Sequence, residues 1–179
     1  MSGQSWRQVI AAVIFVSTAC SGGAGAKPKA ADKPVVVAST PAAIEGAWRV
    51  AEFKPEGVPA IGDPASLFLF TAGFYSVMYA NEDSRAAFTR PDAPSDPEKV
   101  GAYDSFIANA GTFDIADDTL VIHPVISKHP GFMGGGEDRF LMRSAGDTLW
   151  LTGVRGAFRW ANGQAGELIS DSFTLVRAR

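Results

Sequence analysis

The chain has 179 residues, 46% of them apolar, 11% aromatic and 20% charged, with a formal net charge of −3. That is one globular domain's worth of chain. The apolar fraction excludes disorder along the whole length. The lack of a Lys/Arg-rich stripe excludes a basic nucleic-acid footprint, and a single cysteine excludes an intrachain disulfide framework.

Residues 1–20 carry one basic side chain, Arg7, then an apolar run from Val9 to Ala19, then Cys20. A positive start and a short apolar core followed by small residues give the layout of a secretory signal peptide. The run is shorter than the roughly 20 apolar residues that span a bilayer. A buried helix is the competing reading, and the abrupt change to Ser21-Gly22-Gly23-Ala24 argues against it. Two cleavage sites fit. Ser17-Thr18-Ala19-Cys20 resembles the bacterial lipobox, with Ser17 where Leu is usual; there Cys20 becomes the lipid-modified N-terminus. Ala24-Gly25-Ala26 is an A-x-A site, which gives a soluble secreted or periplasmic protein. The lipobox is favoured because the only cysteine falls on it, and a free thiol is a liability in an oxidising compartment. The expectation is a signal peptide over residues 1–19, then a lipid-anchored linker over 20–43, rich in Ala, Gly, Lys and Pro. The partner implied is a membrane, reached through the lipid on Cys20. Ser21 after the cysteine resembles proteobacterial sorting to the periplasmic face of the outer membrane. Folding is expected to begin near Ile44, giving a domain over 44–179.

From Ile44 short β-type runs alternate with Gly, Asp and Pro. Gly46–Phe53 is the first. Ser66–Thr71 and Phe74–Ala80 follow, hinged at Ala72-Gly73, and Thr112–Ile115 and Thr119–Pro124 flank the turn Ala116-Asp117-Asp118. Arg139–Arg143 and Thr148–Thr152 flank Ser144-Ala145-Gly146-Asp147, and Ala157–Trp160 and Ser170–Arg177 complete the series. This spacing predicts an all-β sandwich or barrel. A closed antiparallel barrel of eight or so strands is the more economical, because closure leaves no sheet edge. One helix is expected between the third and fourth runs. Asp96 reads as its N-cap, Pro97 as its first residue and Glu98 as an acid in its first turn. Val100, Tyr103 and Ile107, widened by Phe106 and Ala110, form an apolar stripe, and Gly111 ends the helix. A helix over 97–110 with such a stripe should dock on the mouth of the barrel. Residues 81–96 read as a loop.

Ile44-Glu45-Gly46-Ala47-Trp48 contains Gly-x-Trp. Phe70-Thr71-Ala72-Gly73-Phe74-Tyr75-Ser76-Val77-Met78 and Gly111-Thr112-Phe113-Asp114 come after it, then Leu120-Val121-Ile122-His123-Pro124, Arg139-Phe140 and Gly146-Asp147-Thr148-Leu149. In order and spacing this series resembles the bacterial and fungal lipocalin-like domain family over residues 44–177. The resemblance implies an eight-stranded calyx with a central cavity and an inserted helix, and no particular reaction. It also implies that Trp48 closes one end with Arg177 across its face, a cation–π contact worth about 1–2 kcal/mol plus burial of the indole.

Tyr75 and Tyr79 share one face of a strand. Facing in, they are cavity walls with polar tips; facing out, they are surface aromatics under the helix. His123, inside an apolar run, is a satisfied core histidine, a cavity polar group or a general base. Arg139 alternates with Leu141 and Arg143, so it is either on a solvated face or reads an anion in the cavity. With Tyr103 on the helix stripe, these make the candidate ligand-binding set: Tyr75, Tyr79, Tyr103, His123 and Arg139. The two histidines, His123 and His129, lack a metal-ligand spacing, so neither a metal nor a cofactor is assigned. Met133-Gly134-Gly135-Gly136 lacks the Lys-Ser/Thr of a phosphate loop, and no Gly-x-Ser-x-Gly elbow occurs, so no residue is given a catalytic role. Three functions follow from a barrel. It holds a small hydrophobic molecule with an acidic or hydroxyl end; it runs an isomerase- or cyclase-type reaction in the same cavity; or, if filled, it is a structural envelope protein. The character of the interior separates them.

Overall fold

In a computed structural model, residues 41–81, 85–166 and 170–179 are described. The signal peptide, Cys20 and all but the last three residues of the linker lie outside them. In chain order the elements are α1 (Pro41–Ile44), β1 (Gly46–Lys54), β2 (Ile61–Gly62), β3 (Ser66–Thr71), β4 (Phe74–Ala80) and α2 (Asp96–Asp104). β5 (Phe106–Ala116), β6 (Thr119–Ser127), a 3-10 turn at Pro130–Phe132, β7 (Asp138–Ala145), β8 (Thr148–Gly153) and β9 (Ser172–Arg177) complete the chain.

Every strand pairs antiparallel with its neighbour in the order β1-β3-β4-β5-β6-β7-β8-β9, and β9 pairs back onto β1. Eight strands therefore close into a barrel. β2 adds Gly62 opposite Glu52, on the stretch of β1 that lies beyond its pairing with β3. Alternation sets the interior: Phe68 and Phe70 on β3, Tyr75 and Val77 on β4 and Leu149 and Leu151 on β8 are all buried.

One end is closed by side chains. Trp48 is 0% exposed, and its indole N–H donates to the Ile44 carbonyl at 2.7 Å. The Arg177 guanidinium lies 4.4 Å from the centre of the Trp48 ring. One of its N–H groups donates to the Glu45 carbonyl at 2.9 Å. Gly46 is required here: its φ is +125°, and a Cβ on it would lie 2.8 Å from Arg177 Nη1.

The helix departs from expectation in three ways. It lies between β4 and β5, because the two-residue β2 adds a strand before it. Its N-cap is Ser95, and Glu98 accepts from the Ser95 N–H at 2.7 Å, the return bond of a capping box, and from the Ser95 hydroxyl at 2.7 Å. It stops at Asp104, well short of residue 110. Arg85 donates to the Ala102 carbonyl and Asn81 to the Asp104 carbonyl, both at 2.9 Å, so the free helix end is satisfied there. Phe106, Ile107 and Ala110 then enter β5, where Ile107 faces Tyr79 across the ladder. The helical stripe dissolves because two strands, β4 and β6, offer this segment hydrogen bonds on both sides. Val100 and Tyr103 stay largely exposed. Gly111 does not end a helix. It sits at a bulge in β5, where a Cβ would meet the backbone of His123 and Pro124.

Ala157–Trp160, expected as a strand, makes only isolated bridges, Arg159 pairing with Glu137 and with Ala165. Its aromatic side chains pack on other loops: Phe158 stacks on Phe132 at 4.7 Å and Trp160 tilts against His129 at 4.5 Å.

Truncating the closing aromatic tests this architecture. Trp48→Ala should cost about 3–5 kcal/mol in urea unfolding. Arg177→Gln, which leaves the indole buried, should cost about 1–2 kcal/mol. The reverse order would place the closure in the arginine's backbone contacts.

Candidate functional site

Away from the Trp48 closure the interior opens into a cavity of about 870 Å³. Its apolar wall comes from inward positions of six strands: Phe68 on β3, Val77 on β4, Ile107 on β5, Ile122 on β6, Phe140 on β7 and Leu151 on β8. Phe173 on β9 joins them, packing edge-on to Tyr79 at 5.3 Å and flat on Phe53 at 4.7 Å. The mouth is ringed by loop side chains: Tyr103 and Asp104 at the end of α2, Lys128 and His129 after β6, and the Phe132–Phe158–Trp160 cluster. Gly136 lets this cluster form, since a Cβ there would collide with Phe132.

Three carboxylates, Asp104, Asp138 and Asp171, are among the polar groups on the wall. Asp138 heads β7 and points inward, opposite Ile122. Burial pushes its carboxyl up to about 7. The Arg139 backbone N–H, donating to Asp138 Oδ1 at 2.8 Å, works against that rise, while the charges of Asp171 and Glu137 add to it. Asp171, just before β9, is likewise raised by burial. The Tyr79 phenol is raised by burial and by both of these carboxylates. Asn109 Oδ1 is buried with no hydrogen-bond partner.

The candidate residues divide. Tyr79 lines the cavity, and Tyr103 lines its mouth, with its ring under the Lys128 ammonium at 4.1 Å. Tyr75 also turns inward, 3% exposed, with its hydroxyl unpartnered, but it is packed within the interior and is not on the cavity wall. Burial raises its phenol pKa, and the Asp138 charge adds to this.

His123 and Arg139 point the other way. His123 Nε2 lies 3.3 Å from Asp114 Oδ2, and Arg139 Nε donates to Glu137 Oε1 at 2.6 Å. The reason is strand parity. Arg139 pairs with Val121 and Asp138 with Ile122, so in β7 the inward set is Asp138, Phe140 and Met142. That set is also the more apolar alternation, and an acid in phase with Phe140 and Met142 is the signal by which Asp138 was open to reading from sequence. Asp171, Asn109 and the aromatic mouth carried no comparable local signal.

Among the described residues no group of three or more His, Cys, Asp or Glu is placed to hold a metal.

The raised Asp138 carboxyl links stability to pH. Unfolded it titrates near its ordinary 3.8, and folded near 7, so the folded state holds the extra proton between those values. Its contribution is whole below pH 3.8 and is lost as pH rises through 7. Asp138→Asn should match wild type near pH 4 and become the more stable of the two above pH 7. About 4 kcal/mol is the ceiling on that gap, reduced by water at the mouth. Denaturant unfolding across pH 4–8 checks it; parallel curves would mean that Asp138 is ionised throughout.

No family model matches the chain, and no curated protein matches it. Among solved structures it is similar to the crystal structure of an uncharacterized protein from Bacteroides eggerthii DSM 20697, at 10% identity and a TM-score of 0.41. That alignment covers 75% of this chain and 98% of the other. At those values the likeness carries no argument about function, and the barrel rests on its own strand pairing.

Proposed function

We propose that the protein binds a small hydrophobic molecule in its barrel cavity, as a lipocalin-like protein held at the periplasmic face of the bacterial outer membrane by a lipid on Cys20. One observation carries the binding reading: an interior of about 870 Å³, walled by aromatic and aliphatic side chains and reached through one end. Ligand pockets run from about 300 to 1,000 Å³ and have mostly apolar linings with a few polar groups. An eight-stranded barrel can instead be filled by its own side chains, and a filled interior would have favoured the structural-envelope role. Burying about 200 Å² of apolar ligand surface supplies about 5 kcal/mol before the costs of association. An acidic ligand end would call for Arg139 in the cavity, and Arg139 lies on the outer face, bonded to Glu137. The envelope location rests on the sequence of residues 1–43 alone.

A second reading, an isomerase- or cyclase-type reaction in the same cavity, draws on the Asp138 carboxyl at about 7, a value suited to moving protons near neutral pH. Recovery of the bound compound unchanged separates binding from turnover.

Titration with the neutral fluorophore N-phenyl-1-naphthylamine should give saturable binding. Val77→Phe, which projects a ring into the open space, should weaken it by about tenfold or more while leaving the fold intact by circular dichroism. Absence of saturable binding in wild type would end the cavity reading. For the anchor, Cys20→Ala should move the protein from the membrane to the soluble fraction of the expressing bacterium, and a mature N-terminus at Lys27 would contradict the lipid attachment.

A further inference from the structure

We infer that the molecule this cavity takes is cationic: an apolar or aromatic body carrying a protonated amine, with its ammonium seated at Asp138 and Asp171. This rests on the cavity being a binding site and specifies the charge of what enters it.

The wall is rich in acceptors and poor in cations. Its lining includes three carboxylates, Asp104, Asp138 and Asp171, against one ammonium, Lys128. Lys128 is held at the mouth over the Tyr103 ring. Inside, Asp138 accepts the Arg139 N–H at 2.8 Å and Asp171 accepts the Glu56 N–H at 3.0 Å. A carboxylate has about four lone-pair sites, so each keeps acceptors facing the cavity. Asn109 Oδ1, on the same wall, is buried with no donor. The arginine beside Asp138 is turned outward onto Glu137. Buried acceptors without donors are costly, and a ligand that brings N–H donors and a positive charge satisfies them together. The rings of Tyr79, Phe140 and Phe173 line the same space, and aromatic rings attract a cation through their quadrupoles. A fatty-acid head would add another negative charge where that of Asp171 already opposes the ionisation of Asp138.

Charge at this site follows pH. Asp138 faces Tyr79 on β4 and Asp171 before β9, with Glu137 just before it in the chain and Glu137's partner Arg139 outside; Asp104, Lys128 and His129 stand at the mouth. Below about 7 Asp138 is protonated, and the pull on an ammonium weakens.

The test uses decylamine, decan-1-ol and decanoate, matched in chain length, displacing N-phenyl-1-naphthylamine from the purified protein at pH 8 and at pH 5.5. At pH 8 decylamine should bind about tenfold or more tighter than the alcohol, and decanoate weakest. At pH 5.5 the advantage of the amine should shrink. Asp138→Asn and Asp171→Asn, singly and together, should bring the amine to within about twofold of the alcohol. Should the double variant fold poorly, either single variant reads the same loss. Decanoate binding as tightly as decylamine, or an amine advantage that survives in the variants, overturns the charge assignment and leaves the cavity reading standing. Failure of the fluorophore and all three compounds to bind overturns both.

Discussion

A barrel exists only if its first and last strands meet in register, and here they meet at Trp48 opposite Arg177. The contact is tight because nothing intervenes. Gly46 has no side chain to obstruct the guanidinium, and the indole N–H is satisfied by Ile44 in the turn just before β1. Once Trp48 is fixed, β1 continues along β9 to Lys54 opposite Ser172, with one irregularity between Val50 and Glu52. That irregularity restores the inward phase for Phe53, which stacks on Phe173. The closure therefore determines which residues face inward at the far end, where the cavity lies.

The two ends of the barrel differ in what fills them. Near the Trp48 closure the aliphatic side chains Ile44, Val50, Leu149 and Leu175 leave no accessible surface to speak of. Toward the mouth the inward positions are large rings, and rings pack edge to face with gaps that aliphatic chains would fill. Two carboxyls border that space, and burial raises the pKa of both. A carboxyl so placed lowers stability at neutral pH. Perturbed groups of this kind concentrate at functional sites, so the cost coincides with the cavity.

Charges on the outer face have a different role. Asp114 on β5, His123 on β6, Glu137 just before β7 and Arg139 on β7 lie close together and pair with one another. Arg143 lies 4.1 Å over the Trp150 ring on neighbouring strands. All but Glu137–Arg139, two residues apart in the chain, are cross-strand pairs on a solvated surface, worth a few tenths of a kcal/mol to about 1 kcal/mol each. On β7 the bond to Glu137 holds Arg139 on the outer face, away from its neighbour Asp138.

The strand series from Gly46 to Arg177 was legible because alternation and turn residues act locally: a Gly or Asp at a reversal and a period of two need no distant partner. The pairing of Trp48 with Arg177 was an implication of the family resemblance, not of local pattern, since neither residue's neighbours point to the other. Where the local pattern fitted two periods, only the tertiary structure chose. Phe106, Ile107 and Ala110 suit a helix or a strand, and pairing on both sides by β4 and β6 made them strand. Ala157–Trp160 suits a strand, yet no neighbouring strand was free to receive more than Arg159. The site divided along the same line. Tyr79 followed from alternation, whereas Arg139 was assigned the face that belongs to Asp138, its neighbour by one residue. A slip of one position exchanges inside for outside in a strand, and it is the pairing of Asp138 with Ile122, fixed by the closed ring of strands, that put the acid in the cavity and the base in the solvent.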